Sequence, residues 1–131
     1  MCVFCKIISG EFPSYKVYED DKILAFLSID PISPGHTLVV TKEHFENLEE
    51  INEDSLKDLI LKVKEISVIL KDKLGHTDYA VSQNNGALAG QTVFHIHFHI
   101  IPRVKGDNLS DWKHTPYLPG EAEAIMKKIN A

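Results

Sequence analysis

Cysteine and tryptophan are scarce in this chain of 131 residues, which has two of the first and one of the second. The two cysteines, Cys2 and Cys5, are too few for a secreted disulfide scaffold. No apolar run approaches the roughly 20 residues of a membrane-spanning helix. The N-terminus also lacks the basic and apolar regions of a secretory signal, so a cytoplasmic protein is expected. Basic excess is missing too. A net charge of −5 argues against a binder of nucleic-acid backbones. It leaves room for a small anionic ligand, because backbone N–H groups and local donors can hold a phosphate. Repeats and low-complexity tracts are absent. What is present is 44% apolar and 25% charged residues, the balance of one globular domain over 1–131.

Apolar periodicity predicts the elements. Phe4, Ile7 and Ile8 repeat at helical spacing, and Gly10 and Pro13 stop that short helix. Residues 16–19 and 23–29 read as two strands around an Asp20-Asp21 turn. A loop with Pro31, Pro34 and Gly35 leads into a third strand over 36–41, and 44–48 reads as a helical turn. Asn52 caps an amphipathic helix over 55–74 that Gly75 ends. Residues 79–83 form a fourth strand and 93–101 a fifth, ended by Pro102. A C-terminal helix over 120–129 has early glutamates and late lysines. The fold class is α+β: a five-stranded, mainly antiparallel sheet with one long and several short helices. Helices cover its apolar face and leave the other face open.

Three of the seven histidines stand in Gln91–Arg103, where His95, His97 and His99 alternate with Ile96, Phe98 and Ile100. A strand's two-residue period places the imidazoles on one face and the apolar side chains on the other. Such a face invites metal binding or proton transfer to a substrate. On a flat strand the three rings span roughly 13 Å, too far to share one zinc ion, so division of labour is expected.

Cys2-x-x-Cys5 is compatible with a redox pair, half of a tetrahedral zinc site, or two free thiols. The redox reading lacks a preceding strand. Residues 84–92, with Asn84, Gln91 and Thr92, combine turn glycines with amide and hydroxyl donors that can wrap an oxyanion. His36, His44, His76 and His114 are singly uninformative. Phe94, Phe98 and Trp112 read as packing aromatics.

His95-Ile96-His97-Phe98-His99-Ile100-Ile101 matches His-φ-His-φ-His-φ-φ with φ apolar, and the chain resembles the histidine triad (HIT) proteins. The resemblance extends over 3–106 and includes Phe4-Cys5-Lys6-Ile7-Ile8, Pro34-Gly35-His36-Thr37-Leu38-Val39-Val40 and Ala89-Gly90-Gln91-Thr92-Val93. Residues 107–131 diverge.

That resemblance implies a homodimeric nucleotide hydrolase or transferase acting at the α-phosphate of purine nucleotides. The substrate would be a nucleoside phosphoramidate or a dinucleoside polyphosphate. His97 would be the nucleophile of a nucleotidyl-histidine intermediate, with His99, His36 and Gln91 as catalytic partners. Gln91, Thr92 and Asn84 would contact phosphate or ribose. Val3, Phe4, Ile7, Phe26, Ser28, Ile29 and Val93 would complete the nucleotide pocket. The bacterial-type branch with an N-terminal Cys-x-x-Cys implies structural zinc on Cys2, Cys5, His44 and His95, with no organic cofactor. Neither nucleic acid nor membrane is an expected partner. Ser28 stands where the family usually has an aspartate for both ribose hydroxyls. One uncharged oxygen cannot accept both, so weaker ribose recognition is expected, with Asp30 nearby as a possible substitute. The alternative function is a non-catalytic, zinc-stabilised nucleotide-binding or scaffold protein.

Overall fold

In the computed structural model, which describes residues 2–109 and 114–131, one sheet carries the molecule. Its strands are β1 (Lys16–Glu19), β2 (Ile23–Leu27), β3 (Thr37–Thr41), β4 (Asp78–Gln83) and β5 (His97–Arg103), in the order β1-β2-β3-β5-β4 with every pair antiparallel. The helices are α1 (Val3–Ile8), α2 (Glu53–Leu74) and α3 (Glu121–Ile129). The expected α+β class and five-stranded sheet are both present.

The long helix starts where the Asn52 side chain accepts from the Ser55 N–H at 2.8 Å, and ends at Gly75 with φ of 81°. A left-handed cap of that kind suits glycine, which has no Cβ to clash. Leu59, Val63, Ile66 and Leu70 of α2 bury against Ile23, Ala25, Val39 and Ile100 of the sheet. On the opposite face Phe4 of α1 packs with Leu24, Phe26, Leu38 and Val40, flanked by Ile7 and Ile8. Both faces are therefore covered near β2 and β3. The histidine face expected to stay open is instead partly roofed by α1, which turns an open surface into a cavity.

Three local expectations change. Residues 44–46 carry no regular structure and only 48–50 turn, so no helical turn forms at 44–48. The fifth strand begins at His97 rather than residue 93, because the β3–β5 ladder stops at Val40↔His97. Beyond that pair the Thr41 carbonyl accepts from His95 Nε2 at 2.7 Å, and the Ile96 N–H donates to the Phe45 carbonyl at 2.7 Å. Pro102 does not end β5, which runs to Arg103. Its carbonyl accepts from Ser33 Oγ at 2.7 Å, past the last β3 pair at Thr37↔Ile100. Its nitrogen faces that same side, so no ladder bond is lost. Phe98 packs against the core, Phe94 is half exposed, and Trp112 lies outside the described residues.

Candidate active site and metal cluster

The break at the start of β5 separates the three histidines. His97 and His99 remain on the strand with ring centroids 4.9 Å apart. His95, fully buried, turns toward His44, again with centroids 4.9 Å apart. Phe4 stands edge-on to both sets, 6.0 Å from the His95 ring and 5.0 Å from the His97 ring.

Hydrogen bonds determine where each imidazole carries its proton. His97 Nδ1 lies 2.7 Å from the His95 carbonyl, which can only accept. The proton therefore sits on Nδ1 and leaves a lone pair on Nε2. The Ile32 N–H donates to His36 Nδ1 at 3.0 Å, so His36 carries its proton on Nε2. That nitrogen lies 2.9 Å from His99 Nδ1, which must accept, leaving the His99 proton on Nε2. A chain of three donors thus runs from the backbone at Ile32 through His36 to His99.

Burial keeps these rings neutral. Desolvation lowers the His97 pKa. Desolvation first, then the nearby His97, lowers His36, and the same two causes with His36 added bring His99 to about 4. Near neutral pH the site holds three uncharged imidazoles, and a neutral imidazole is a competent nucleophile.

His36, His97 and His99 line a cavity of about 620 Å³. Val3, Phe4 and Ile7 of α1 wall one side, Phe26 and Leu38 form an apolar floor, and Ser28, Ile29, Asp30, Thr92 and Val93 lie at its margins. Ile29 is 89% exposed, so it borders the mouth and is not part of the floor. Ser28 Oγ accepts from the Asp30 N–H at 3.3 Å, and β2 has already ended at Leu27.

Two predicted nucleotide contacts, Gln91 and Asn84, do not line this cavity. The Gln91 side chain is buried and fully committed: Oε1 accepts from the Gly86 N–H at 2.8 Å, while Nε2 donates to the Glu46 and Val93 carbonyls at 2.7 and 3.1 Å. It fastens the 84–93 loop. Phe12, Pro13 and Ile32 also line the cavity. They sit in Pro-containing loops without periodicity, and no pattern marked them.

The second cluster joins three distant segments. Cys2, Cys5, His44 and His95 bring one donor atom each within 4.8 Å of all the others. Cys2 Sγ and Cys5 Sγ are each 3.6 Å from His95 Nδ1, and Cys5 Sγ is 3.4 Å from His44 Nδ1. His95 Nε2 is held by the Thr41 carbonyl, so its Nδ1 lone pair points into the cluster. Burial pushes the Cys5 thiol up, a cost that a bound cation would reverse. Two sulfurs and two imidazole nitrogens at this separation fit a four-coordinate metal.

The chain matches the HIT domain over residues 9–106 and belongs to that family. It is 54% identical over 107 residues to an HIT-like protein of Methanocaldococcus jannaschii, covering 82% of each chain. It is 39% identical over 132 residues to adenosine 5′-monophosphoramidase hnt1 of Schizosaccharomyces pombe, covering 99% of this chain and 96% of that one. A crystal structure of an HIT family member from Bacillus subtilis superposes with a TM-score of 0.87 at 42% identity, covering 98% and 94%. The catalytic histidine cluster is the family's, and the chain is an enzyme of its hydrolase and transferase type. No helix among the described residues is long and apolar enough to cross a membrane.

Proposed function

We propose that this protein hydrolyses purine nucleotides at the α-phosphate through a nucleotidyl intermediate on His97. One observation carries the reading: the His97 Nδ1–H bond to the His95 carbonyl leaves the Nε2 lone pair free beside the cavity. Nε2 attacks phosphorus and the bond to the leaving group breaks. A basic phosphoramidate nitrogen leaves as the neutral amine with the proton it brought, while His99 Nε2–H donates to a non-bridging oxygen. Water then attacks phosphorus, the phosphorus–His97 bond returns its electron pair to Nε2, and the proton that water loses passes to the nucleotide product. His36 holds His99 in the required tautomer throughout. Thr92 and Val93 border the phosphate, and the apolar slot of Val3, Phe4, Ile7 and Phe26 takes the base. Gln91 contributes by holding the loop that presents Thr92 and Val93, and Asn84 belongs to the same loop.

Charge favours a phosphoramidate over a dinucleoside polyphosphate. Among the described residues lining the cavity there is no lysine or arginine, and the histidines are held neutral. A polyphosphate leaving group would bring several negative charges with no fixed cation to meet them. An amine leaves neutral once protonated. The S. pombe relative's name, a monophosphoramidase, supports the same choice. Measuring kcat/KM on adenosine 5′-phosphoramidate and diadenosine tetraphosphate tests it. The phosphoramidate should be preferred, and a preference for the tetraphosphate would overturn the assignment.

The four-donor cluster supports structural zinc, which when bound would tie α1 to the residues before β5. A homodimer is supported by the sheet edge at β4, where Tyr79 and Val81 are exposed, and by Ile60 and Val68 of α2. Oligomeric state and metal content are read directly by light scattering and elemental analysis.

A further inference from the structure

We propose that the Cys2–Cys5 pair is also an oxidation site, at which a hydroperoxide makes a disulfide, ejects the metal and loosens the nucleotide cavity. This rests on the metal reading above. The two sulfurs lie within 4.8 Å of each other, and a disulfide needs about 2.05 Å. Cys2 is the residue before α1 and Cys5 lies within its first turn, so a short backbone adjustment closes the gap. Both residues are only half-buried, which gives a small oxidant access.

The chemistry balances. One thiolate attacks a peroxide oxygen, the O–O bond breaks, and hydroxide leaves to give a sulfenic acid. The second sulfur attacks the sulfenic sulfur, the S–S bond forms, and water leaves. Two thiols and one hydrogen peroxide become one disulfide and two waters, with two electrons passed from sulfur to peroxide. Two of the four metal donors are consumed. His44 and His95 alone are half of a tetrahedral set.

The loss reaches the nucleotide cavity through α1. That helix has six residues, and its N-cap Cys2 makes no side-chain capping bond. A helix this short depends on tertiary contacts. It carries Val3, Phe4 and Ile7 into the cavity wall, and Phe4 lies edge-on to Phe26 and His97 at 5.4 and 5.0 Å. His95 stays anchored by the Thr41 carbonyl, so release of the metal frees α1 and leaves the strand in place.

The test uses the full chain loaded with one equivalent of zinc and titrated with hydrogen peroxide. Three signals are followed together: metal release to a chromogenic chelator, disulfide by mass, and AMP affinity by calorimetry. One metal should leave per disulfide, with AMP affinity falling on the order of tenfold. A dithiol reductant with added zinc should restore both. Cys5→Ser should show no disulfide and no reversible release. A disulfide that forms while metal and AMP affinity stay unchanged would overturn the proposal, as would release without a disulfide. A chain that takes up no zinc defeats the metal reading alone, and disulfide formation with AMP affinity then decides the oxidation.

Discussion

His95 serves two sites through two different atoms: its ring faces Cys2, Cys5 and His44, while its backbone carbonyl accepts the Nδ1 proton of His97 at 2.7 Å. The same residue thus joins the metal cluster and sets the tautomer of the proposed nucleophile. Its own ring is fastened by the Thr41 carbonyl where the β3–β5 ladder stops.

Acid should destabilise the fold before it protonates ordinary carboxylates. His99 is held at about 4 and His36 is also lowered, both chiefly by burial. Between about 4 and the ordinary histidine value near 6.5, the unfolded chain binds more protons than the folded one. Stability therefore rises with pH across that window and is lost as pH falls through it. Melting temperature against pH should show this slope, and His99→Asn should flatten it. An unchanged slope in the variant would contradict the assignment.

Gly35→Ala should damage both stability and turnover. Gly35 has φ of 89°, and a Cβ there would stand 2.6 Å from Leu74 Cδ1 and 3.3 Å from Pro102 Cγ. Left-handed strain costs about 1–3 kcal/mol, and His36 follows directly in sequence. Denaturant titration should report a loss of that order, with kcat reduced more than KM is raised.

Replacing Gln91 with alanine strands the Gly86 N–H and the Glu46 and Val93 carbonyls. Each unsatisfied buried group costs about 1–3 kcal/mol where water cannot reach it. The variant should lose stability on that scale and raise KM, because Thr92 and Val93 border the cavity. Stability and KM at wild-type values would remove Gln91 from the account.

Ser28 should leave ribose weakly discriminated. Its hydroxyl already accepts from the Asp30 N–H, and it offers one uncharged oxygen. AMP and 2′-deoxy-AMP should bind with similar affinity, and Ser28→Asp should open a gap in favour of AMP. A strong ribose preference in the wild type would contradict this.

Much of this architecture was legible from residue pattern. The α2 stripe, the Asn52 and Gly75 caps and the β1 and β2 strands needed only period and turn chemistry. The covered histidine face was also visible in principle. Ile23–Leu27 and Leu38-Val39-Val40 are unbroken apolar runs, the mark of strands buried on both sides. The exit of His95 from the strand was not legible, because alternation continues through it. What ends the ladder is the Thr41 carbonyl taken by a side chain 54 positions away. The commitment of Gln91 to three backbone groups is likewise a tertiary fact that local sequence does not carry.

The most direct test is to mix enzyme with adenosine 5′-phosphoramidate, quench rapidly at alkaline pH, and map covalent adenylate by peptide mass spectrometry. The adduct should sit on His97, and His97→Ala should bind AMP yet lose turnover by at least about a thousandfold, some 4 kcal/mol of barrier. Turnover in His97→Ala equal to that of the wild type, with no adduct on His97, would contradict the account.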